Sequence, residues 1–444
     1  MGVRFGTDGI RGVANAELGA ELVMALGRAA TRALGAERFL VGRDTRRSGP
    51  LLQAALSAGM ASEGADVIDL GVLPTPGVAF LSAQRGVPAA MVSASHNPFA
   101  DNGIKLFAAG GLKLPDAIEA AVEAELDAVL AGPVDASPVG HGVGRLWSEP
   151  DAHRAYVDHL VEVLDGRDLS GLRVVVDCAN GAGWAVAPEV FERLGAEVRA
   201  IADRPDGANI NDGCGSTFPE RLAAEVVASG ADIGLALDGD ADRLVAVDHT
   251  GALATGDELL SLFATDLAGR RQLAATTVVV TVMTNLGFRL AMAEQGITVR
   301  ETKVGDRYVL EALDEAGLTL GGEQSGHIVF RRLATTGDGV LTGVLLCDLV
   351  RRRGASLAEL ARASMRRLPQ VLDNVAVARP AEVVATPAVQ AELAAVQAEL
   401  GAGGRVVLRA SGTEPLVRVM VEAEHESVAR AAAARLCAVV EKAR

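Results

Sequence analysis

The chain has 444 residues, too many for one hydrophobic core, and at ordinary domain sizes it divides into about three or four domains with clefts between them. A formal charge of −15 at pH 7 excludes the broad basic field that a nucleic-acid or anionic-membrane surface requires, so neither partner is expected. No apolar run reaches spanning length, Met1 to Gly12 lacks the apolar stretch of a secretion signal, and Cys178, Cys214, Cys347 and Cys437 form no CxxC pair, all of which fits a reducing cytoplasm.

The first notable segment is FGTDGIRG, Phe5 to Gly12, which contributes Arg11. Phe39 to Gly42 then reads as a strand that opens into GRDTRRSG before a helical pattern over Pro50 to Glu63. The same strand, polar loop and helix return at Arg173 to Asp177, CANGAG and Val186 to Leu194. They return again at Thr277 to Val282, MTNLG and Phe288 to Glu294, so three related α/β domains with mixed or parallel sheets are predicted. Composition places seams at Gly132 to Pro150, His249 to Gly256 and Arg362 to Pro369, giving units 1–150, 151–250, 251–367 and 368–444. The last is a smaller α+β unit, with strands at Val371 to Ala378, Arg405 to Arg409 and Leu416 to Glu422 and helices at Ala388 to Leu400 and His425 to Lys442.

Four loops carry chemistry. SASHNP, Ser93 to Pro98, lies between strand patterns at Pro88 to Val92 and Ile104 to Phe107, so Ser95 and His96 sit at a strand end where ligand-contacting residues are displayed. Taken alone the segment reads as a turn. It is no serine hydrolase, since GxSxG is absent and adjacent Ser95 and His96 side chains are expected to point apart. DGDADR spaces Asp238, Asp240 and Asp242 at alternate positions between strand patterns at Ile233 to Leu237 and Leu244 to Val247, and a tight loop gathers such residues on one side. An EF-hand is excluded, because Arg243 and His249 stand where it needs Gly and Glu. Three crowded carboxylates repel one another unless a cation is present, and an all-oxygen set favours Mg²⁺ over a soft metal. A strand-end DxD loop also suits a phosphatase with Asp238 as nucleophile.

GGEQSGH, Gly321 to His327, sets Glu323, Ser325 and His327 on a Gly-flanked loop suited to a sugar diol or amino-alcohol. TKVGDRYV adds Lys303 and Arg307 to the basic inventory. RASGTEPLVR offers Ser411, Gly412 and Thr413 as an anion nest, with Arg418 able to clamp a phosphate by two parallel hydrogen bonds. An ordinary hairpin loop is the alternative there. Of 42 basic residues only Lys105, Lys113, Lys303 and Lys442 are lysines, which marks them as positions where a losable proton is useful.

SASHNP, DGDADR, GEQSGH and SGTEP, in this order along the whole chain, resemble the α-D-phosphohexomutase superfamily. GTDGIRG, DNGIK after SASHNP, Ala241 and Gln324 are most similar to its bacterial phosphoglucosamine mutases; the phosphomannomutase/phosphoglucomutase branch is the alternative. The resemblance implies four domains around a central cleft, the fourth mobile. It implies a phosphate carried on Ser95, and Mg²⁺ held by Asp238, Asp240, Asp242 and the Ser95 phosphate. The implied substrate is a phosphosugar, glucosamine 6-phosphate, converted to glucosamine 1-phosphate through glucosamine 1,6-bisphosphate on the way to UDP-N-acetylglucosamine and peptidoglycan precursors.

Matching positions imply Lys105 as general acid/base, its amine tuned by neighbouring cations, with His327, Arg11 and His96 assisting. Arg243, Glu323, Ser325, Lys303 and Arg307 are implied to meet substrate, and Arg409, Ser411, Gly412, Thr413 and Arg418 its distal phosphate. A homodimer is compatible with all of this. A non-catalytic phosphosugar sensor would carry the same loops and bind without turnover.

Overall fold

A computed structural model describes residues 5–6, 8–132, 137–411 and 415–443. Four sheets follow one another along the chain. The first runs, in space, Ile10–Val13, Asp101–Ala108, Ala89–Val92, Arg38–Arg43, Asp66–Val72 and Leu146–Ser148, with Leu112–Lys113 added on Asp101–Ala108. The second runs Leu253–Ala254, Leu244–Asp248, Ile233–Leu237, Arg173–Asp177 and Glu197–Ile201, and the third Thr298–Thr302, Thr277–Thr281, Leu320–Gly322 and Ile328–Phe330. The fourth is antiparallel throughout: Gln370–Ala376, Leu416–Ala423, Gly404–Ala410. The mixed α/β architecture with a smaller α+β C-terminal unit is the one predicted. Leu253–Ala254 lies past the seam expected at 250 yet pairs with Leu244–Asp248.

One construction repeats in the first three sheets. A strand parallel to one neighbour turns and returns antiparallel on its other side: Ala89–Val92 into Asp101–Ala108, Ile233–Leu237 into Leu244–Asp248, Leu320–Gly322 into Ile328–Phe330. The connections are the serine, aspartate and sugar loops, each at the carboxyl end of a parallel strand, where open α/β sheets place ligands. The fourth sheet likewise pairs Gly404–Ala410 antiparallel with Leu416–Ala423.

Burial separates these units into two bodies. One apolar cluster runs from Leu40 and Phe107 through Tyr156, Phe191 and Leu237 to Phe263, Phe330 and Met365, joining the first three units. The C-terminal unit packs its own core, Val371, Val389, Val417, Val421, Ala433 and Leu436 among others. Its polar anchor on the third unit is Arg405, which donates to the Val282 and Thr284 carbonyls at 3.0 and 2.7 Å and to Glu422 at 2.9 Å.

Candidate active site

Ser95 is fully buried where the first two units meet. Its backbone takes a left-handed φ of 52°, unfavourable for a residue with a side chain, so the neighbourhood must hold it there. Arg46 does much of this. Completely buried, it donates to the carbonyls of Ser95 (3.0 Å), Asn97 (2.8 Å), Asp101 (3.0 Å) and Pro98, and its Nε meets Asp44 Oδ2 at 2.8 Å. From the second unit Asn211 Nδ2 donates to the same Ser95 and Asn97 carbonyls, at 2.9 and 3.0 Å. Gly239 closes the space from the metal loop, since a Cβ there would lie 2.5 Å from the Ser95 carbonyl.

This backbone corrects the expected divergence of Ser95 and His96. The left-handed turn brings Ser95 Oγ to 3.3 Å from His96 Nδ1, while Oγ donates to Asp238 Oδ2 at 2.6 Å. Burial, helped by the Arg243 and Arg11 charges, pushes the His96 imidazole down to about 4, so it is neutral at pH 7. Its Nδ1 is free to accept from Arg243, 3.1 Å away.

Asp238, Asp240 and Asp242 are all buried and offer carboxylate oxygens within 4.8 Å of one another. Asp240 Oδ2 accepts from Thr75 Oγ1 (2.6 Å) and Lys105 Nζ (2.8 Å), yet Asp240 Oδ1 and Asp242 Oδ1 are buried without a hydrogen bond. Unsatisfied buried carboxylate oxygens are costly, and a hard divalent cation is the group whose chemistry matches them. Burial and the charges of Asp242 and Asp240 raise the Asp238 carboxyl well above its usual range. Burial acts in the same direction on Asp242, but Lys105 and His327 outweigh it and hold that carboxyl low.

Lys105 is a second correction. Carboxylates surround it: Asp240 at 2.8 Å, Asp8 at 3.1 Å and Asp242 at 3.3 Å. Burial would lower its pKa, but these charges raise it well above the usual value, so neighbouring cations do not dominate its tuning. Asp8 also binds Arg11, which reaches Asn97 Oδ1 and the Ala94 carbonyl at 3.3 Å.

The sugar loop faces this centre. Glu323 Oε1 accepts from the Gly305 amide at 3.1 Å, and burial raises its carboxyl. Ser325 Oγ is buried with no hydrogen-bond partner, as suits a hydroxyl awaiting a ligand. His327 Nδ1 lies 3.6 Å from Asp242, and Nε2 accepts from the Gly337 amide at 3.1 Å, which places the ring proton on Nδ1. Burial lowers this imidazole, yet Asp242 and Asp306 together raise it to about 9; a second proton would turn Nε2 from Gly337 toward Asp306 Oδ2, 3.6 Å away. At pH 7 the raised value keeps that second proton on the ring, and its charge helps hold Asp242 low.

Other predicted residues are placed differently. Arg307 pairs with Glu119 at 2.5 Å and with Asp116, bracing the third unit against the first. Lys303 is exposed, its ammonium 5.6 Å from the Tyr308 ring centre. In the C-terminal sheet Arg409 and Arg418 stand directly opposite each other, and burial, then the Arg418 charge, lowers the Arg409 guanidinium. Ser411 closes the strand pair through its amide to the Leu416 carbonyl at 2.9 Å, and Gly412 and Thr413 lie outside the described residues. Sequence reasoning missed Asp8, Arg46, Thr75, Asn211 and Gly337. Arg46 lay inside the quoted GRDTRRSG, but nothing in an arginine-rich loop tells a buried guanidinium from a solvated one.

Family models for phosphoglucomutase/phosphomannomutase domains I, II, III and the C-terminal domain match residues 2–131, 154–251, 255–368 and 372–439. The chain is 54% identical to the phosphoglucosamine mutase of Saccharopolyspora erythraea, covering 98% of each. It is 51% identical to that of Desulforudis audaxviator, covering 96% of this chain and 95% of the relative. This chain belongs to the phosphohexomutase superfamily, among the bacterial phosphoglucosamine mutases. It is accordingly an isomerase, a mutase.

Solved structures agree with the fold. A phosphoglucomutase/phosphomannomutase family protein of Burkholderia thailandensis superposes with TM-score 0.82 at 26% identity, covering 98% of this chain and 97% of that one. Aspergillus fumigatus N-acetylphosphoglucosamine mutase, in complex with GlcNAc-6P and magnesium, superposes with TM-score 0.68 at 20% identity, covering 99% and 96%.

Proposed function

We propose that this mutase interconverts glucosamine 6-phosphate and glucosamine 1-phosphate through a phosphate carried on Ser95 and a 1,6-bisphosphate intermediate. The observation that carries the proposal is the Ser95 hydroxyl, 2.6 Å from Asp238 within the cluster of three buried carboxylates. Mg²⁺ fits the orphaned oxygens of Asp240 and Asp242, and when bound it neutralises charge on the transferring phosphoryl group. The magnesium and phosphosugar of the fungal complex support this reading.

The residues divide the work. Asp238 orients Oγ by accepting its hydrogen bond, with His96 beside it and Arg243 adding positive charge through His96 Nδ1. In the first half-reaction the Oγ–P bond breaks as phosphorus bonds to the sugar O1. Lys105 passes its proton to the departing Oγ and takes the O1 proton in its place, so the ammonium is restored while the phosphate and its charge leave with the sugar. The second half-reaction returns a phosphoryl group from O6 to Ser95 along the same path. Glu323 and Ser325 hold the sugar in either orientation, and Arg409, Ser411 and Arg418, with Gly412 and Thr413, take whichever phosphate is distal.

In this reading the chain works as four units, 1–150, 151–250, 251–367 and 368–444, and acts in the cytoplasm. No helix among the described residues is long and apolar enough to cross a membrane. A coupled assay comparing the 6-phosphates of glucosamine, glucose and mannose tests the reading. Preference for glucosamine, with acid-stable phosphate mapping to Ser95, is expected; hydroxylamine-labile phosphate on Asp238 would overturn it.

A further inference from the structure

A cavity of about 260 Å³ opens away from the catalytic loops, between the helices His153–Glu162, Gly256–Gly269 and Gly339–Arg353 and the end of the strand Ile328–Phe330. Its walls hold four arginines, Arg167, Arg270, Arg332 and Arg352, against two carboxylates, Asp266 and Asp348. That is an excess of two positive charges in a protein of net charge −15.

The carboxylates are already engaged. Asp266 accepts from Arg352 at 2.8 Å and from Arg353 at 2.9 Å, and Asp348 from Arg167 and Arg352, both at 2.8 Å. Arg270 reaches Asp266 only at 3.5 Å, and the Arg332 side chain has no ion pair or hydrogen bond among the described residues. Two guanidiniums therefore face the cavity with donors to spare. Its floor is apolar, formed by Leu333, Leu349 and the rings of Phe263 and Phe330, which meet edge to face at 4.9 Å.

We infer that this cavity binds an organic phosphate bearing a flat apolar ring, a nucleoside monophosphate. The spare guanidiniums match phosphate oxygens, and the leucine and phenylalanine floor matches a base. A sugar phosphate without a base fits less well, because it has no flat face to lay on the leucine and phenylalanine floor, and the Thr319 hydroxyl is already engaged with Ala274 and Gln272. The volume lies just below the roughly 300 Å³ at which small-molecule pockets commonly begin, which favours a monophosphate over anything larger.

The position gives binding a consequence. Thr319 and Phe330 lie at the base of the hairpin Leu320–Gly322 and Ile328–Phe330, whose far end is the loop with Glu323, Ser325 and His327. Strands of three residues span only about 10 Å, so a ligand wedged at the base tilts the sugar loop at the tip. Coupling of this kind is reciprocal: the nucleotide alters affinity for the sugar phosphate, and the sugar phosphate alters affinity for the nucleotide by the same factor.

Titration calorimetry on the full chain with uridine and adenosine monophosphates, inorganic phosphate and the two nucleosides tests the site without relying on turnover. At least one nucleotide is expected to bind with Kd of about 0.1 mM or tighter, and phosphate or nucleoside alone at least tenfold more weakly. The double variant Arg270→Ala, Arg332→Ala should lose this binding by about tenfold or more while keeping wild-type turnover without nucleotide, and Arg418→Lys should retain it. No heat from either nucleotide at several millimolar, or binding unchanged in the double variant, overturns the inference.

Discussion

The two phosphate-handling ends of the molecule are built in opposite ways. At the serine end the groups are cross-braced and largely buried: Arg46 and Asn211 pin the Ser95 backbone, Thr75 and Lys105 pin Asp240, and half-buried Asp8 ties Lys105 to Arg11. At the C-terminal end two arginines face each other across a strand pair whose core is separate from the rest. Bond making tolerates little misplacement of the reacting groups, so that end is rigid. In the proposed reaction the other end releases and regrasps a turning bisphosphate, and two arginines set opposite each other offer both guanidiniums to its phosphate.

The strongest way to break this contrast is Ser95→Ala. Turnover should disappear with circular dichroism unchanged, because the hydroxyl carries the phosphoryl group and adds little to packing. Retention of more than about a tenth of wild-type kcat, a loss under about 1.4 kcal/mol, would remove the nucleophile assignment. Asp240→Asn ranks next. It neutralises one carboxylate of the cluster, so Mg²⁺ affinity and kcat should fall by about 10²-fold or more, with KM changing little. Full activity of the wild-type enzyme in EDTA would contradict the metal site.

Arg46→Lys sharpens the contrast by testing rigidity itself. Lysine keeps the charge but cannot reproduce a planar fork serving four carbonyls and Asp44. Losing two or three such bonds at about 1 kcal/mol each should lower the melting temperature, and a loosened Ser95 should lower kcat about tenfold or more with KM nearly unchanged. A drop in melting temperature with wild-type kcat would reduce Arg46 to a structural role.

The outcome at Arg46 bears on what the sequence could reveal. The four loops were legible because short polar motifs between apolar strands announce both their chemistry and their place at strand ends. Strands such as Arg173–Asp177 and Ile233–Leu237 were read to the residue for the same reason. Partners far apart in the chain were not legible. Asn211, Thr75 and Asp8 lie 116, 165 and 97 positions from Ser95, Asp240 and Lys105, and no local pattern encodes those contacts. The Ser95 and His96 geometry was misjudged because an extended backbone was assumed where a left-handed one occurs.

Arg418→Lys probes the other end, with a smaller effect expected. The substitution keeps a charge opposite Arg409 but loses the two-pronged grip on phosphate. KM for glucosamine 6-phosphate should rise severalfold, and more bisphosphate should escape per turnover, making the variant depend on added glucosamine 1,6-bisphosphate. Wild-type kinetics with and without that addition would leave the C-terminal nest without a role.

The last test lies where the two bodies meet. Asp257, beside Asn285 and Glu422 at the C-terminal anchor, is pushed up to about 7 by burial, with Glu258 and Glu422 adding repulsion. A carboxyl raised on folding favours the protonated native state, so its contribution to stability is full below about pH 4, where the unfolded chain is also protonated, and is lost as pH rises through 7. Asp257→Asn removes this titration and keeps an acceptor for the Asn285 amide. The variant should therefore gain on the wild type as pH rises, by roughly 1 to 4 kcal/mol between pH 5 and 8.5. Denaturant titrations at the two pH values measure the difference directly, and parallel wild-type and variant curves would show that Asp257 ionises as readily in the folded protein as in the unfolded chain.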